Sequence, residues 1–253
     1  MTMELHYNFN WQILVTAPYW GLLLTGLQTT FVVTVVSSLA STLLGSGIAL
    51  ARVSRFRTLR ALGTVYVEIV RNIPGLFWIL FFYFVFPELL PQPWADVLHH
   101  MPNYALVAGI LGLTIDNAAY LSDILRAGIL AVPSGEKEAA RSSGLTFWQE
   151  CYCIVWPQTL RTVLPPLTNR MIHNFKNSSL CMAIALPELT WATQQIESIT
   201  FRSIEVTTAA TVTYCLLSLA IAYGMGRLYR ARVAKRSVSV APYYARRVLG
   251  AYA

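Results

Sequence analysis

Residues 134–157 read SGEKEAARSSGLTFWQECYCIVWP, a polar stretch set between two apolar runs of membrane length. Ser134 follows Pro133 and suits an N-cap, and Glu136 in the first turn complements the helix dipole. Glu138 and Arg141 are placed to pair across one turn. Gly144 can adopt the left-handed conformation that ends a helix. Thr146-Phe147-Trp148-Gln149 then has the T-x-x-Q form of a capping box that opens another. The pattern predicts a helix, a sharp turn and a second helix, with the small Ala139 and Ala140 admitting a partner at close range. Too polar for lipid and too short for a domain, the segment is shaped to receive a push from a soluble partner.

Composition supports a membrane setting. The chain has 253 residues, 55% of them hydrophobic and only 12% charged, with a mean hydropathy of +0.50. Soluble domains carry about a quarter charged residues. Residues 5–51 hold no Lys, Arg, Asp or Glu. A hydrocarbon core about 30 Å thick needs roughly 20 apolar residues per helix. On that measure the chain reads as an all-α integral membrane protein. No basic n-region or A-x-A site precedes the first apolar run, so no removable signal peptide is expected.

Five spans are predicted: 22–50, 61–86, 104–130, 146–179 and 205–229. Trp11, Tyr19 and Trp20 place the segment before the first span at the headgroup level. Ser37, Ser41 and Gly45 form a small-residue stripe that lets another helix approach. The second span is interrupted at Asn72-Ile73-Pro74, where proline removes a hydrogen bond and kinks the helix; Glu68 and Arg71 just before it can pair on one face. The fourth span is the most polar, with Arg161, Pro165, Pro166, Arg170 and Lys176, and must face other helices or water.

Basic residues set the orientation. Residues 51–60 hold four, Arg52, Arg55, Arg57 and Arg60, and the 131–150 loop holds Lys137 and Arg141. The tail from Arg227 to Arg247 holds seven, whereas the 87–103 loop has none and the 186–204 loop only Arg202. An outside N-terminus and a cytosolic C-terminus satisfy every loop, and the polar segment then faces the cytosol. The organisation expected is an interfacial segment 1–21, a transmembrane domain 22–230 with its docking loop at 131–149, and a basic cytosolic tail 231–253. The net charge of +7 is read as this topology signal and an attraction to anionic lipid, not as nucleic-acid binding. Cys151, Cys153, Cys181 and Cys215 show no metal-ligand spacing. No G-x-x-x-x-G-K-[ST] loop occurs, so no nucleotide hydrolysis is expected of this chain by that route.

The motif EAA-x3-G-x9-I-x-W-P (Glu138, Ala139, Ala140, Gly144, Ile154, Trp156, Pro157) resembles the signature of ABC-importer membrane subunits, with Trp156 where that family usually has Leu. Tyr66-Val67-Glu68-Ile69-Val70-Arg71-Asn72-Ile73-Pro74 and the run Ala119 to Ile129 resemble its amino-acid branch. So do Leu164-Pro165-Pro166, Asn169, Lys176-Asn177-Ser178-Ser179-Leu180 and Glu188-Leu189-Thr190. Asn8-Phe9-Asn10-Trp11 and Pro87-Glu88-Leu89-Leu90-Pro91 look most like glutamate/aspartate permeases. The resemblance covers roughly residues 20 to 230. It implies a type I importer transmembrane domain with no catalytic residue and no cofactor of its own, ATP and Mg being held by a separate cytosolic ATPase dimer. It implies a second permease subunit, identical or paralogous, a periplasmic binding protein and location in the inner membrane. Under it the 134–149 segment is the coupling helix.

The pathway candidates are Arg71, Asn72 and Pro74 at the second-span break, Asp116 in the third span, and Arg161, Asn169, Arg170 and Lys176 in the fourth. A cation there can attract a cargo carboxylate, or it can instead be interfacial or satisfy an internal carboxylate, and the break can offer free backbone groups. Asp116 stands where the family usually has an uncharged residue. It either pairs with a fourth-span cation or lines the path, and an unpaired acid there leaves basic or neutral amino acids, or opines, open as cargo. A secondary transporter or channel subunit is the rival class, but the inverted repeats common there are not found.

Overall fold

The computed structural model describes residues 7–230, and every regular element among them is helical. The basic tail from residue 231 lies outside the described residues. Helix α1 runs unbroken from Tyr19 to Val53. Helix α5, Tyr104–Leu130, lies beside it in the same direction. Asn117 meets Ser41, and Arg52 meets Ser122 further along. Ser37, Ser41 and Gly45 are all buried; a Cβ at Gly45 would come within 2.9 Å of the Ala118 carbonyl and the Leu121 Cβ. The stripe therefore does admit a neighbour. It does more, because its hydroxyls also accept hydrogen bonds from Asn117 of α5 and from Asn174 further along the chain. Lipid offers no hydrophobic drive between helices, so close packing and such bonds hold the bundle.

The second predicted span is not a kinked rod. Helices α2 (Arg57–Arg71) and α3 (Gly75–Leu80) meet at a bend of 103°. Pro74 has no N–H to continue α2 and disfavours a helical Ile73. The carbonyls expected to be free there are partly taken. Glu68 O accepts from Asn72 Nδ2 at 2.6 Å, while Val70 O accepts from Ile73 N and the Trp78 indole, both at 3.4 Å. The chain continues through a widened turn, Phe81–Val85, and a short outer helix α4, Gln92–His99.

The third span falls where the apolar run predicts it, at 104–130. Two short helices follow, α6 (Ser134–Ser142) and α7 (Phe147–Glu150). The long helix expected from 146 begins only at Trp156, as α8 (Trp156–Asn177). Between them lies a turn widened so that Trp156 N bonds to Cys151 O, five residues back. Pro157 explains it: without an N–H it cannot bond to Cys153 O, and the ladder slips by one residue. Helix α8 runs antiparallel to α5, with Thr159 near Gly128 at one end and Arg170 on Asp116 further along.

Helix α9 (Leu189–Thr200) packs on α1, and α10 (Ser203–Tyr229) closes the bundle. The buried Glu188 caps α9 by accepting from Trp191 N and Thr190 N at 2.8 and 2.9 Å. It also accepts from Tyr214 of α10 at 3.0 Å, and so joins these helices through one carboxylate. Three helices, α1, α5 and α10, are long and apolar enough to cross a bilayer, and the bent α2–α3 pair makes a fourth if counted as one span. Helix α8 does not meet that measure, because Arg161, Arg170, Lys176 and its amide and hydroxyl residues make it too polar; Arg170 and Asn174 bond to α5 and α1. By length and apolarity the described residues thus hold three or four of the five expected spans, with α8 as the polar helix packed among them.

Candidate functional site

Two places collect the residues singled out by the sequence. One is the elbow of α6 and α7. Gly144 has φ +80°, the left-handed geometry expected of it, and a Cβ there would meet nothing within 4 Å. Only the backbone conformation demands glycine at that position. The capping box at Thr146 is complete: its hydroxyl accepts from Gln149 N, and the Gln149 side chain accepts from Thr146 N at 2.8 Å. Two details differ from expectation. Pro133, not Ser134, occupies the cap position of α6, and no side chain caps that end. Arg141 does not turn to Glu138 but to Glu150, which accepts from its Nε at 2.7 Å and its Nη2 at 3.1 Å. Glu150 is buried and needs a cation, whereas Glu138 is exposed to water.

This two-pronged bond fixes the angle of the elbow across the glycine turn. It also holds the Glu150 carboxyl below the usual range and raises Arg141. Ala140 is tucked against the fold, while Ala139 is exposed. Phe147, Trp148, Tyr152 and Trp156 all stand largely exposed along the second arm. Ile154 and Pro157 lie half-buried on the way into α8.

The second place lies between α2, α5 and α8. Asp116, Tyr120 and Asp123 follow one another at intervals of four and three residues, one face of α5. From α8, Arg170 donates to Asp116 Oδ2 through Nη2 at 2.6 Å and to Asn117 Oδ1 through Nε. The side chains of this pair are 9% and 7% exposed. Asn117 in turn donates to Ser41 at 2.7 Å, and Asn174 of α8 donates to Ser37 at 2.9 Å. A chain of polar contacts thus crosses from α8 through α5 to α1 with little water reaching it. The alternative in which Asp116 pairs with a fourth-span cation is the one realised, and Arg170 is that cation. It begins directly under α3, since a Cβ on Gly75 would lie 3.3 Å from the Asp116 carboxyl carbon.

One helical turn or two along α5 the arrangement opens. Arg71 turns away from Glu68 and donates to Asp123 Oδ2. The bend at Pro74 leaves Arg71 at the tip of α2, where a second helix offers it a carboxylate and the Tyr120 ring 5.1 Å away. Arg52 of α1, itself 6% exposed, holds the other oxygen, Asp123 Oδ1, at 2.6 Å. The Arg170 guanidinium lies 3.9 Å from the centre of the same Tyr120 ring. Arg71, Tyr120, Asp123, Asn169, Arg170 and His173 line a cleft of about 360 Å³, within the roughly 300–1,000 Å³ usual for small-molecule sites.

Of the expected pathway residues, Arg71, Asn169 and Arg170 line this cleft, and Asp116 lies behind it. Asn72 and Pro74 shape the bend beside it. Arg161 is half-buried and Lys176 exposed, and neither forms an ion pair among the described residues. Asp123, Tyr120, His173 and Arg52 are not among the expected pathway residues. The signal was present in part: Asp116, Tyr120 and Asp123 share a face, as do Asn169 and His173 at a spacing of four. Among the described residues no group of three or more His, Cys, Asp or Glu is placed to hold a metal.

The all-helical fold with its long apolar helices is that of a membrane-embedded protein. Residues 41–235 match the family described as binding-protein-dependent transport system inner membrane component, and the chain belongs to that family. It is 33% identical over 203 residues to the "Probable glutamine ABC transporter permease protein GlnM" of Bacillus subtilis, covering 80% of this chain and 89% of that one. It is 30% identical over 220 residues to the "Glutamate/aspartate import permease protein GltJ" of Escherichia coli, covering 83% and 89%. Among solved structures, an amino acid ABC transporter crystallised with histidines superposes with a TM-score of 0.76 at 28% identity, over 89% of this chain and all of that one. The inward-facing MetNI methionine transporter gives 0.72 at 23% identity, over 86% and 99%, a likeness of fold. The chain is thus an ABC-importer permease for amino acids with the type I transmembrane fold, an integral inner-membrane subunit. Such a permease works with an ATPase and a substrate-binding protein.

Proposed function

We propose that this subunit carries acidic amino acids, glutamate and aspartate, from periplasm to cytoplasm, and that the 134–157 elbow is its contact with the ATPase. The observation that carries the cargo reading is the state of Asp116. Paired with Arg170 and buried, it presents no free negative charge to a passing substrate. The cluster around the cleft holds Arg52, Arg71 and Arg170 against Asp116 and Asp123, an excess of one positive charge that an acidic amino acid would offset. A basic cargo would find no uncommitted carboxylate there. Glutamine is the second reading, favoured by the relative at 33% identity whose name specifies it.

The excess of basic residues in the loops at 51–60 and 131–150 supports an orientation with the elbow and the C-terminus in the cytosol and the N-terminal segment outside. Two permease subunits, alike or paralogous, would then sit on two ATPase subunits that hold ATP and Mg, with a binding protein delivering cargo from outside. Closure of the ATPase pair moves the elbow, and the movement reaches α8 through the widened turn at Cys151–Val155. For this to drive transport, the ATPase must bind the two permease states with different affinity.

Reconstituted vesicles containing the complex and its binding protein test both halves. ATP-driven uptake of labelled glutamate and aspartate is expected, with lysine and arginine excluded; uptake of basic amino acids alone would overturn the cargo reading. Gly144→Val should abolish uptake while the protein still inserts, because a β-branched residue is strained at positive φ. Gly144→Asn, which tolerates that geometry, should keep it. Equal uptake by both variants would remove the elbow from coupling.

A further inference from the structure

The geometry points to the Arg71–Asp123 pair as the seat of the amino-acid head group, with the cargo's α-carboxylate on Arg71 and its α-ammonium on Asp123 Oδ2, the zwitterion inserting between the two. The inference rests on the reading of this chain as an amino-acid permease and names the part of the cargo that the cleft recognises.

Three observations lead there. The pair is open to the cleft, with side chains 46% and 29% exposed, while the neighbouring Asp116–Arg170 pair is closed. Exposed pairs of this kind contribute only about 0–1 kcal/mol, so a ligand that offers equivalent bonds can displace one. Asp123 is also held twice. When Arg71 turns to a ligand, Arg52 remains on Oδ1 at 2.6 Å, and the aspartate keeps a counter-charge. The released Oδ2 then faces the cleft as an acceptor, and Arg71 presents a planar fork matched to a carboxylate.

Charge is conserved in the exchange. The cluster carries one net positive charge before insertion, and a zwitterionic head group adds none. Every amino acid has this head group, so the pair selects the class and leaves the side chain to other contacts. Asn169 and His173 border the same cleft and are the polar groups left to meet it. Tyr120, 5.1 Å from the Arg71 guanidinium, gives the arginine an aromatic face to rest against while it exchanges carboxylates.

The test uses the purified permease–ATPase complex in nanodiscs without ATP or binding protein. Equilibrium binding of tritiated glutamate and glutamine is measured, with competition by glutamine methyl ester, which lacks the α-carboxylate, and N-acetylglutamine, which lacks the ammonium. Both labelled amino acids are expected to bind, and each blocked analogue to compete at least tenfold less well than glutamine. Arg71→Gln should weaken both amino acids at least tenfold, and Arg71→Lys, which keeps the charge without the fork, by less. Blocked analogues that compete as well as glutamine, unchanged binding by Arg71→Gln, or no binding of either amino acid to the wild type would overturn the inference. Should Arg71→Gln fail to fold, the analogue arm on the wild type still decides. ATP-driven uptake by the wild-type complex, measured alongside, separates the two readings: uptake without head-group dependence at Arg71 sinks only this inference, whereas no amino-acid uptake sinks the transport reading itself.

Discussion

Asp116 and Asp123 lie seven residues apart on one face of α5, and each holds an arginine, yet under opposite conditions. Asp116 meets Arg170 where α3, α5 and α8 close together, and both side chains are more than nine-tenths buried. Asp123 meets Arg71 at the rim of a cleft, with about half of the arginine exposed. A buried pair is fixed by what it would cost to separate, since each ion has already left water. An open pair has lost little hydration and can exchange partners. The same two residue types therefore serve as a clamp at one position and as a releasable contact at the other. Burial, not chemistry, divides the roles.

Breaking the clamp should have the largest effect. Arg170→Leu leaves Asp116 charged and unpaired, and a loss of about 3–5 kcal/mol is expected, read as a sharp fall in the thermal stability of the purified subunit. Asp116→Leu combined with Arg170→Met should restore most of it, because a buried pair replaced by apolar groups of similar volume is often neutral. A double variant as unstable as the single one would show that the polar chain through Asn117 matters more than the charges.

Asp123→Asn comes next. It takes the counter-charge from the buried Arg52, and about 1–3 kcal/mol is expected. The loss should be less than at Arg170, because Arg52 keeps Ser122 at 3.2 Å and Arg71 can turn to water. An effect as large as that of Arg170→Leu would erase the distinction between clamp and contact.

Arg71→Gln should change stability by less than about 1 kcal/mol and yet reduce ATP-driven uptake at least tenfold. A stability loss comparable to that of Arg170→Leu would place Arg71 with the clamp.

The smallest global effect belongs to a third pair, Arg141–Glu150 in the elbow. The Glu150 carboxyl titrates below its ordinary value because Arg141 donates two hydrogen bonds to it. Its contribution is thus present above the unfolded-state value near 4.5 and is lost as pH falls through the lower folded value. Glu150→Gln should mimic acid at neutral pH, with faster amide exchange confined to residues 134–150 and the bundle unchanged. Protection in the elbow equal to that of the wild type would show that packing, not this bond, sets the angle between α6 and α7.

Much of the fold was legible in residues. The apolar run at 104–130 became α5 without change, the stripe of Ser37, Ser41 and Gly45 found its neighbour, and Gly144 and Thr146 marked the elbow, because helix ends and small-residue faces are local properties. Pairing was not legible in the same way. Glu68–Arg71 and Glu138–Arg141 have the spacing of helix pairs, yet both arginines chose more buried carboxylates on other helices, Asp123 and Glu150. Spacing along one helix describes which groups are within reach, but a partner less exposed to water binds more strongly and wins. The severity of the break at Pro74 was hidden for a related reason. Proline announces that a helix stops, but the direction in which the chain resumes depends on what α3 packs against.

The sequence by itself determined the membrane setting, the positions of α5 and α10, the elbow and its turn, and through its motifs the family. These follow from hydropathy, caps and backbone conformation, all of them set within a few residues. Only the tertiary structure decided that Asp116 is sealed by Arg170 while Asp123 is shared between Arg52 and Arg71. That choice depends on how deeply α2, α5 and α8 bury each carboxylate, and burial is a property of helices brought together from distant parts of the chain.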